Sequence, residues 1–269
     1  MYKQSDYLLW QAVAEKAAQE AGALMLRRLQ EPLELTDKGF RDVVTAVDFE
    51  AQALITDSVQ AAFPEHAFLT EEEDSSLPQQ GEVRWIIDPI DGTSNYSRGI
   101  PSFCTSIGVA VNNEIVVGVI YDPNLNELFS AVKGEGSTLN GQPIHCSQVD
   151  ELGAAVVCLD WSRENSDRQV VFNILSTLGL EVRTLRGTGS AALALAWIAA
   201  GRFDGYINLT ISSWDWAAGA LLIAEAGGLF TQAGGSPVSL EKSSGGIAAT
   251  KAVHGTLEER VRRGMSSSD

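Results

Sequence analysis

Trp85-Ile86-Ile87-Asp88-Pro89-Ile90-Asp91-Gly92-Thr93-Ser94-Asn95-Tyr96 is the stretch that decides how this chain is read. Trp85, Ile86 and Ile87 are aromatic and β-branched, which predicts a buried strand, and Pro89 halts the ladder because it has no amide hydrogen to donate. Two carboxylates three residues apart, Asp88 and Asp91, then stand where the backbone turns. Gly92 permits close backbone approach, while Thr93 to Asn95 supply amides and hydroxyls able to cap a helix or hold an anion. Hard acids beside anion-holding amides point to metal-assisted phosphate chemistry.

Upstream, Leu9, Val13, Ala17, Ala21, Leu24 and Leu26 recur at mostly helical spacing, predicting an amphipathic helix over about 6–29. A polar stretch at 36–42 follows, then a second helical pattern through Phe49, Leu54, Ile55 and Val59 that Pro64 stops. Downstream, apolar or alternating runs at 106–111, 114–121 and 127–132, broken by Asn112-Asn113 and Asp122-Pro123-Asn124, predict an antiparallel meander. Asn140-Gly141 marks another tight turn. From about residue 150, strands (154–159, 181–185) alternate with helices (167–178, 190–200). This predicts an α+β half over about 1–150 and an α/β half over about 151–265, within one domain spanning 1–265. The Ser-rich tail, 266–269, is expected to be disordered.

At 269 residues and 45% hydrophobic content the chain can bury a sizeable core. Its formal net charge of −16 argues against nonspecific binding to nucleic acid or anionic membranes. An acidic cleft can bind an anionic phosphate ester only if bound cations reverse the local field. Cys104, Cys146 and Cys158 form neither a disulfide framework nor a zinc pattern, so a cytoplasmic location is expected. No apolar run reaches the length of a bilayer span.

Asp88-Pro89-Ile90-Asp91-Gly92-Thr93 resembles the signature of the inositol monophosphatase family, which belongs to the lithium-sensitive, magnesium-dependent phosphatase superfamily that also includes fructose-1,6-bisphosphatases. Three further segments fit in order: Asp42-Val43-Val44-Thr45-Ala46-Val47-Asp48, Glu71-Glu72, and Trp214-Asp215-Trp216-Ala217-Ala218-Gly219 with Glu225-Ala226-Gly227-Gly228. The resemblance covers roughly 8–260. It implies a fructose-1,6-bisphosphatase-like αβαβα sandwich, two sheets between helix layers, and a homodimer inhibited by lithium.

The same resemblance implies two or three magnesium ions, with manganese as an alternative. Glu71, Asp88, the Ile90 carbonyl, Asp91 and Asp215 would be their ligands. Thr93 with Asp48 would orient the attacking water, and Glu72 is a second candidate. Phosphate would sit against the amides of Gly92 and Thr93 at a helix N-terminus, with Lys38 on a mobile flap nearby. On the alcohol side, Asp215, Ser190, Ala191 and Arg186 would line the pocket. Asn208 stands where many inositol monophosphatases carry a glutamate that contacts inositol hydroxyls, and Thr70 stands where the family usually has glycine. The expected substrate is inositol 1-phosphate. Fructose 1,6-bisphosphate, histidinol phosphate and 3′-phosphoadenosine nucleotides stay open, as does a catalytically idle regulatory relative.

Each residue has a plainer reading. An isolated aspartate at a strand end is more often a turn former or cap than a ligand, and only the in-order companions favour ligation here. Gly134-Glu135-Gly136 reads as a hairpin rather than a phosphate loop. Trp214 and Trp216 read as packing that holds Asp215, and Arg163 as either a second-phosphate contact or a surface arginine.

Overall fold

The computed structural model describes residues 2–32, 35–39, 42–162, 165–233, 238–240 and 244–266. Helix α1 (Gln4–Arg28) is followed by the antiparallel pair β1 (Leu35–Gly39) and β2 (Asp42–Thr45), then helix α2 (Ala46–Ala62). Strands β3 (Ala67–Thr70), β4 (Val83–Asp91), β5 (Cys104–Val111), β6 (Glu114–Asp122), β7 (Glu127–Val132), β8 (Gly136–Leu139) and β9 (Gln142–Ile144) form a seven-stranded sheet in that spatial order. The single turn α3 (Thr93–Tyr96) links β4 to β5. A five-stranded sheet holds β10 (Val156–Leu159), β11 (Thr184–Arg186), β12 (Gly205–Ile211), β13 (Gly228–Gln232) and β14 (Ser244–Thr250) in the order β11-β10-β12-β14-β13. Its connections include helices α4 (Asn165–Glu181), α5 (Ala191–Ala199) and α6 (Ser213–Glu225), and α7 (Lys251–Ser266) follows β14.

Three apolar cores separate five layers. Helices α1 and α2 bury Trp10, Ala14, Ala17 and Ile55 against Trp85, Ile87 and Ile107 of the large sheet. Helices α5 and α6 fill the space between the sheets with Leu193, Leu195, Trp216 and Leu222. On the outer face of the small sheet, Ile174 and Leu178 of α4 meet Leu257 and Val261 of α7. This is the αβαβα arrangement that the resemblance implies.

The meander is antiparallel, and both short turns have the left-handed pairs that two-residue hairpins need. Asn112 and Asn113 have φ of 49° and 69°, and Asn140 and Gly141 have 49° and 76°. Gly134 and Gly136 form a hairpin turn, and their amides donate to the Glu225 carboxylate at 2.8 and 2.9 Å.

The first helix buries Ala17, Ala21 and Leu24 of its predicted face, but the outer members of that face turn away from the core. Leu9 and Leu26 are exposed, while Trp10, Ala14, Ala17, Ala21 and Met25 are buried. Alanine brings the helix axis close to the sheet, and that close approach outweighs the larger but outward leucines. Strand β11 also starts later than expected, because α4 runs on to Glu181.

Pro89 does not end its strand. Strand β4 continues to Asp91 through an irregular register in which Asp88 pairs with Ser106 and Asp91 with Cys104. Pro89 and Ile90 therefore oppose Thr105 alone, and Thr105 Oγ1 donates to the Pro89 carbonyl at 3.0 Å. In a regular strand, residues three apart face opposite sides; one extra residue returns both aspartates to the same side.

Candidate active site

Two carboxylates on β4 become a cluster because α6 delivers a third. Ser212 and Asp215 form a reciprocal cap at the start of α6, with the Ser212 amide donating to Asp215 Oδ2 at 2.7 Å. Oxygens of Asp88, Asp91 and Asp215 then lie within 4.8 Å of one another. Glu71 joins this group at the end of β3: its amide donates to the Ile87 carbonyl at 3.1 Å, and its carboxyl hydrogen-bonds that of Asp88. Helix α6 can approach because Gly118 of β6 has no side chain. A Cβ there would lie 2.5 Å from the Ala218 carbonyl oxygen.

Asp91 is gripped by the start of α5. Its Oδ2 accepts from the Ser190 hydroxyl and, at 2.7 Å, from the Ala192 amide. Burial and then Asp215 push its carboxyl up to about 7, against the lowering effect of Ser190 and Ala192. Burial pushes Asp88 well above the usual carboxylate range, reinforced by Glu71, Asp91 and Asp215. Among the described residues, Asp88 Oδ1 is buried without a hydrogen-bond partner. An unsatisfied buried oxygen among acids that repel one another is the donor set a hard divalent cation fits.

The second constellation joins α2 to the turn after β4. Thr93 Oγ1 donates to Asp48 Oδ1 at 3.0 Å and lies 3.0 Å from the Ile90 carbonyl oxygen. Asp48 Oδ2 accepts from the amide and hydroxyl of Thr45, capping α2 at 2.8 and 2.6 Å. The cap that starts the helix thus also fixes the carboxylate facing Thr93. Gly92 holds the turn with φ of 96°, and a Cβ there would meet the Ser102 carbonyl oxygen at 2.9 Å. Because α3 is one turn, its dipole is small, and individual amides are what can favour an anion.

A cavity of about 470 Å³ opens on these groups. Glu71, Asp88, Ile90, Asp91, Thr93 and Asp215 are among the residues that line it. Gly92, expected on the phosphate side, and Ala191 and Asn208, expected on the alcohol side, also line it. Asn208 donates to the Tyr206 hydroxyl at 3.1 Å and accepts the Thr210 amide at 3.0 Å. Ser190 stands behind the wall, on Asp91. Glu72 is buried outside the lining, its backbone held by the side-chain amide of Gln52. Arg186 is exposed and bonds the Leu185 carbonyl at 2.8 Å, away from the cavity, because β11 is an edge strand. Lys38 belongs to β1, but its side chain lies outside the described residues, as does Arg163. Trp216 is core and Trp214 is cavity wall.

The sequence did not single out Arg168, Tyr206, Thr210, Ile211 or Ser212, which also line the wall. Tyr206 and Thr210 share a strand with Asn208 at even spacing, a signal that period-two alternation offers. Arg168 carries no comparable mark.

The fold and the carboxylate cluster together define a class: an αβαβα protein with an acidic, cation-fitting centre at the junction of its layers. A sequence profile of the inositol monophosphatase family matches residues 6–266, and this chain belongs to that family. The Nus factor SuhB of Vibrio cholerae is 36% identical, the match covering 95% of this chain and 97% of that one. The crystal structure of extragenic suppressor protein suhB from Bartonella henselae superposes with a TM-score of 0.89 at 33% identity, covering 94% of this chain and 98% of that one. Inositol monophosphatase from Anabaena gives 0.85 at 34% identity, covering 96% and 97%. Among the described residues no helix is long and apolar enough to cross a membrane.

Proposed function

We propose that this chain is a magnesium-dependent phosphomonoesterase acting on a small polyol or sugar phosphate, with inositol 1-phosphate the first candidate. The observation that carries this reading is the convergence of Asp88, Asp91 and Asp215 within 4.8 Å, with Asp88 Oδ1 unsatisfied. Glu71, Asp88, the Ile90 carbonyl, Asp91 and Asp215 would hold the ions. When bound, magnesium neutralises phosphate charge and acidifies a water. Thr93 Oγ1 would accept the hydrogen bond of the attacking water and pass its own proton to the Asp48 carboxylate, to which it already donates, so that Asp48 is the group left protonated. Gly92 and Thr93 offer amides to the phosphate, while Asn208 and Ala191 face the alcohol portion.

The test is phosphate release from inositol 1-phosphate, fructose 1,6-bisphosphate, histidinol phosphate and 3′-phosphoadenosine 5′-phosphate, each with magnesium and with chelator. Magnesium-dependent turnover of one ester supports the reading, and none on any ester counts against it.

The name Nus factor, borne by relatives, favours a second role in transcription, so the expectation of no nucleic-acid partner is not carried forward. With a net charge of −16, direct RNA contact is opposed, and such a role would run through a protein partner. A gel-shift titration with structured RNA distinguishes the two routes: binding by the isolated chain would contradict the protein-mediated one.

A further inference from the structure

Arg168 has no task in the reaction just described, yet it is the one cation among the described residues of a cavity wall that carries Glu71, Asp88, Asp91, Asp160 and Asp215. It sits in the first turn of α4, and its Nε donates to the Ser162 carbonyl at 2.6 Å, which fixes the guanidinium plane. Among the described residues, its two terminal nitrogens make no hydrogen bond or ion pair. The adjacent acid does not neutralise it. Asp167 Oδ2 instead accepts the hydroxyls of Ser162 at 2.9 Å and Thr210 at 2.6 Å. Elsewhere on the wall, position 208 presents a neutral amide whose oxygen is already taken by the Thr210 amide, so no like charge opposes an anion there.

We infer that the cavity takes phosphate esters whose alcohol portion carries a second anionic group, a phosphate or carboxylate, received by the free fork of Arg168. This rests on the phosphatase reading of the same cavity. Asp88, Asp91 and Asp215, with the ions they would hold, serve the scissile phosphate. A planar fork with one nitrogen already anchored loses little freedom on binding a second anion, and its geometry matches two oxygens at once. A neutral polyol would leave that charge unpaired in the wall.

A matched pair of probes tests it: inositol 1-phosphate and inositol 1,4-bisphosphate, which differ by one phosphate. Wild type should show the lower KM for the bisphosphate. Arg168→Ala and Arg168→Gln should raise that KM about 10- to 100-fold, as loss of a charged hydrogen-bond pair predicts, and leave the monophosphate within about twofold. Arg168→Gln keeps a donor for the Ser162 carbonyl, so its loss would report charge rather than local structure, and Arg168→Lys, which keeps the charge without the fork, should restore only part of the preference. Equal losses on both probes, or no wild-type preference, would overturn the inference and leave the phosphatase reading standing. Calorimetric binding in a Thr93→Ala background separates the two ideas. Arg168-dependent bisphosphate binding without wild-type turnover would keep the subsite and remove the phosphatase, whereas binding of neither probe would remove both.

Discussion

Asp48 and Thr93, 45 residues apart in the chain, are joined by a 3.0 Å hydrogen bond from Thr93 Oγ1 to Asp48 Oδ1. The pair ties the first turn of α2 to the loop that follows the two strand aspartates, so a helix cap and a proton-handling hydroxyl share one carboxylate. Thr93→Ala should lower kcat about 100- to 10,000-fold with little change in KM or stability, as loss of a general acid–base group does. Asp48→Asn should lower kcat similarly and also cost about 1 kcal/mol, because it weakens the cap on α2. Steady-state kinetics beside urea denaturation separate the two variants; wild-type turnover by Thr93→Ala would refute the role.

Asp91→Asn should abolish turnover and the magnesium-induced rise in melting temperature together. In chelator, the variant should be at least as stable as the parent at neutral pH, because one member of a repelling cluster is gone while the Ser190 and Ala192 donors keep an acceptor. Thermal scans with and without magnesium read both effects, and an undiminished magnesium shift would count against Asp91 as a ligand.

The metal-free protein should show a pH dependence of definite sign. The Asp91 carboxyl is pushed from 3.8 up to about 7 by burial and by Asp215, so the folded state holds this proton more tightly than the unfolded chain does. The stability it contributes is complete below 3.8 and is lost as pH rises towards about 7. Protons and magnesium compete for the same oxygens, so the stabilisation by magnesium should grow across that window. Melting temperatures at half-unit intervals, in chelator and in magnesium, give both slopes, and Asp91→Asn should flatten them.

Gly118→Ala places a methyl where a Cβ would lie 2.5 Å from the Ala218 carbonyl oxygen, in backbone that cannot swing aside. Overpacking of this kind costs about 1–3 kcal/mol. It should also displace α6 and with it Asp215, so the magnesium concentration for half-maximal activity should rise although no ligand is altered. A stability loss with unchanged magnesium dependence would show that the displacement does not reach the acids.

Much of this was legible because local chemistry and final position agree. The strand character of 85–87, the Asn-Gly and Asn-Asn turns and the alternating α/β pattern all survive folding, and the aspartates lie where a strand meets a turn. Legibility failed where one element's position depends on another's shape. Leu9 and Leu26 look like core from their spacing, but the alanines of α1 set its distance from the sheet, and the leucines turn outward. Arg186 looks suitably placed beside Gly189 and Ser190, but an edge strand carries it to solvent. Arg168 lies on an ordinary helix, and only the return of β12 beside β10 brings the wall around it.

The irregular pairing at Pro89 and Ile90 makes the aspartate spacing a matter of parity. An odd separation normally sends two side chains to opposite faces of a sheet; with one extra residue, the odd separation becomes the one that works. A relative shortened by a single residue here would keep every acid and still lose the pair. At this point the chemistry is written in the count of residues as much as in their identity, and a comparison that scores identity alone would misjudge such a chain.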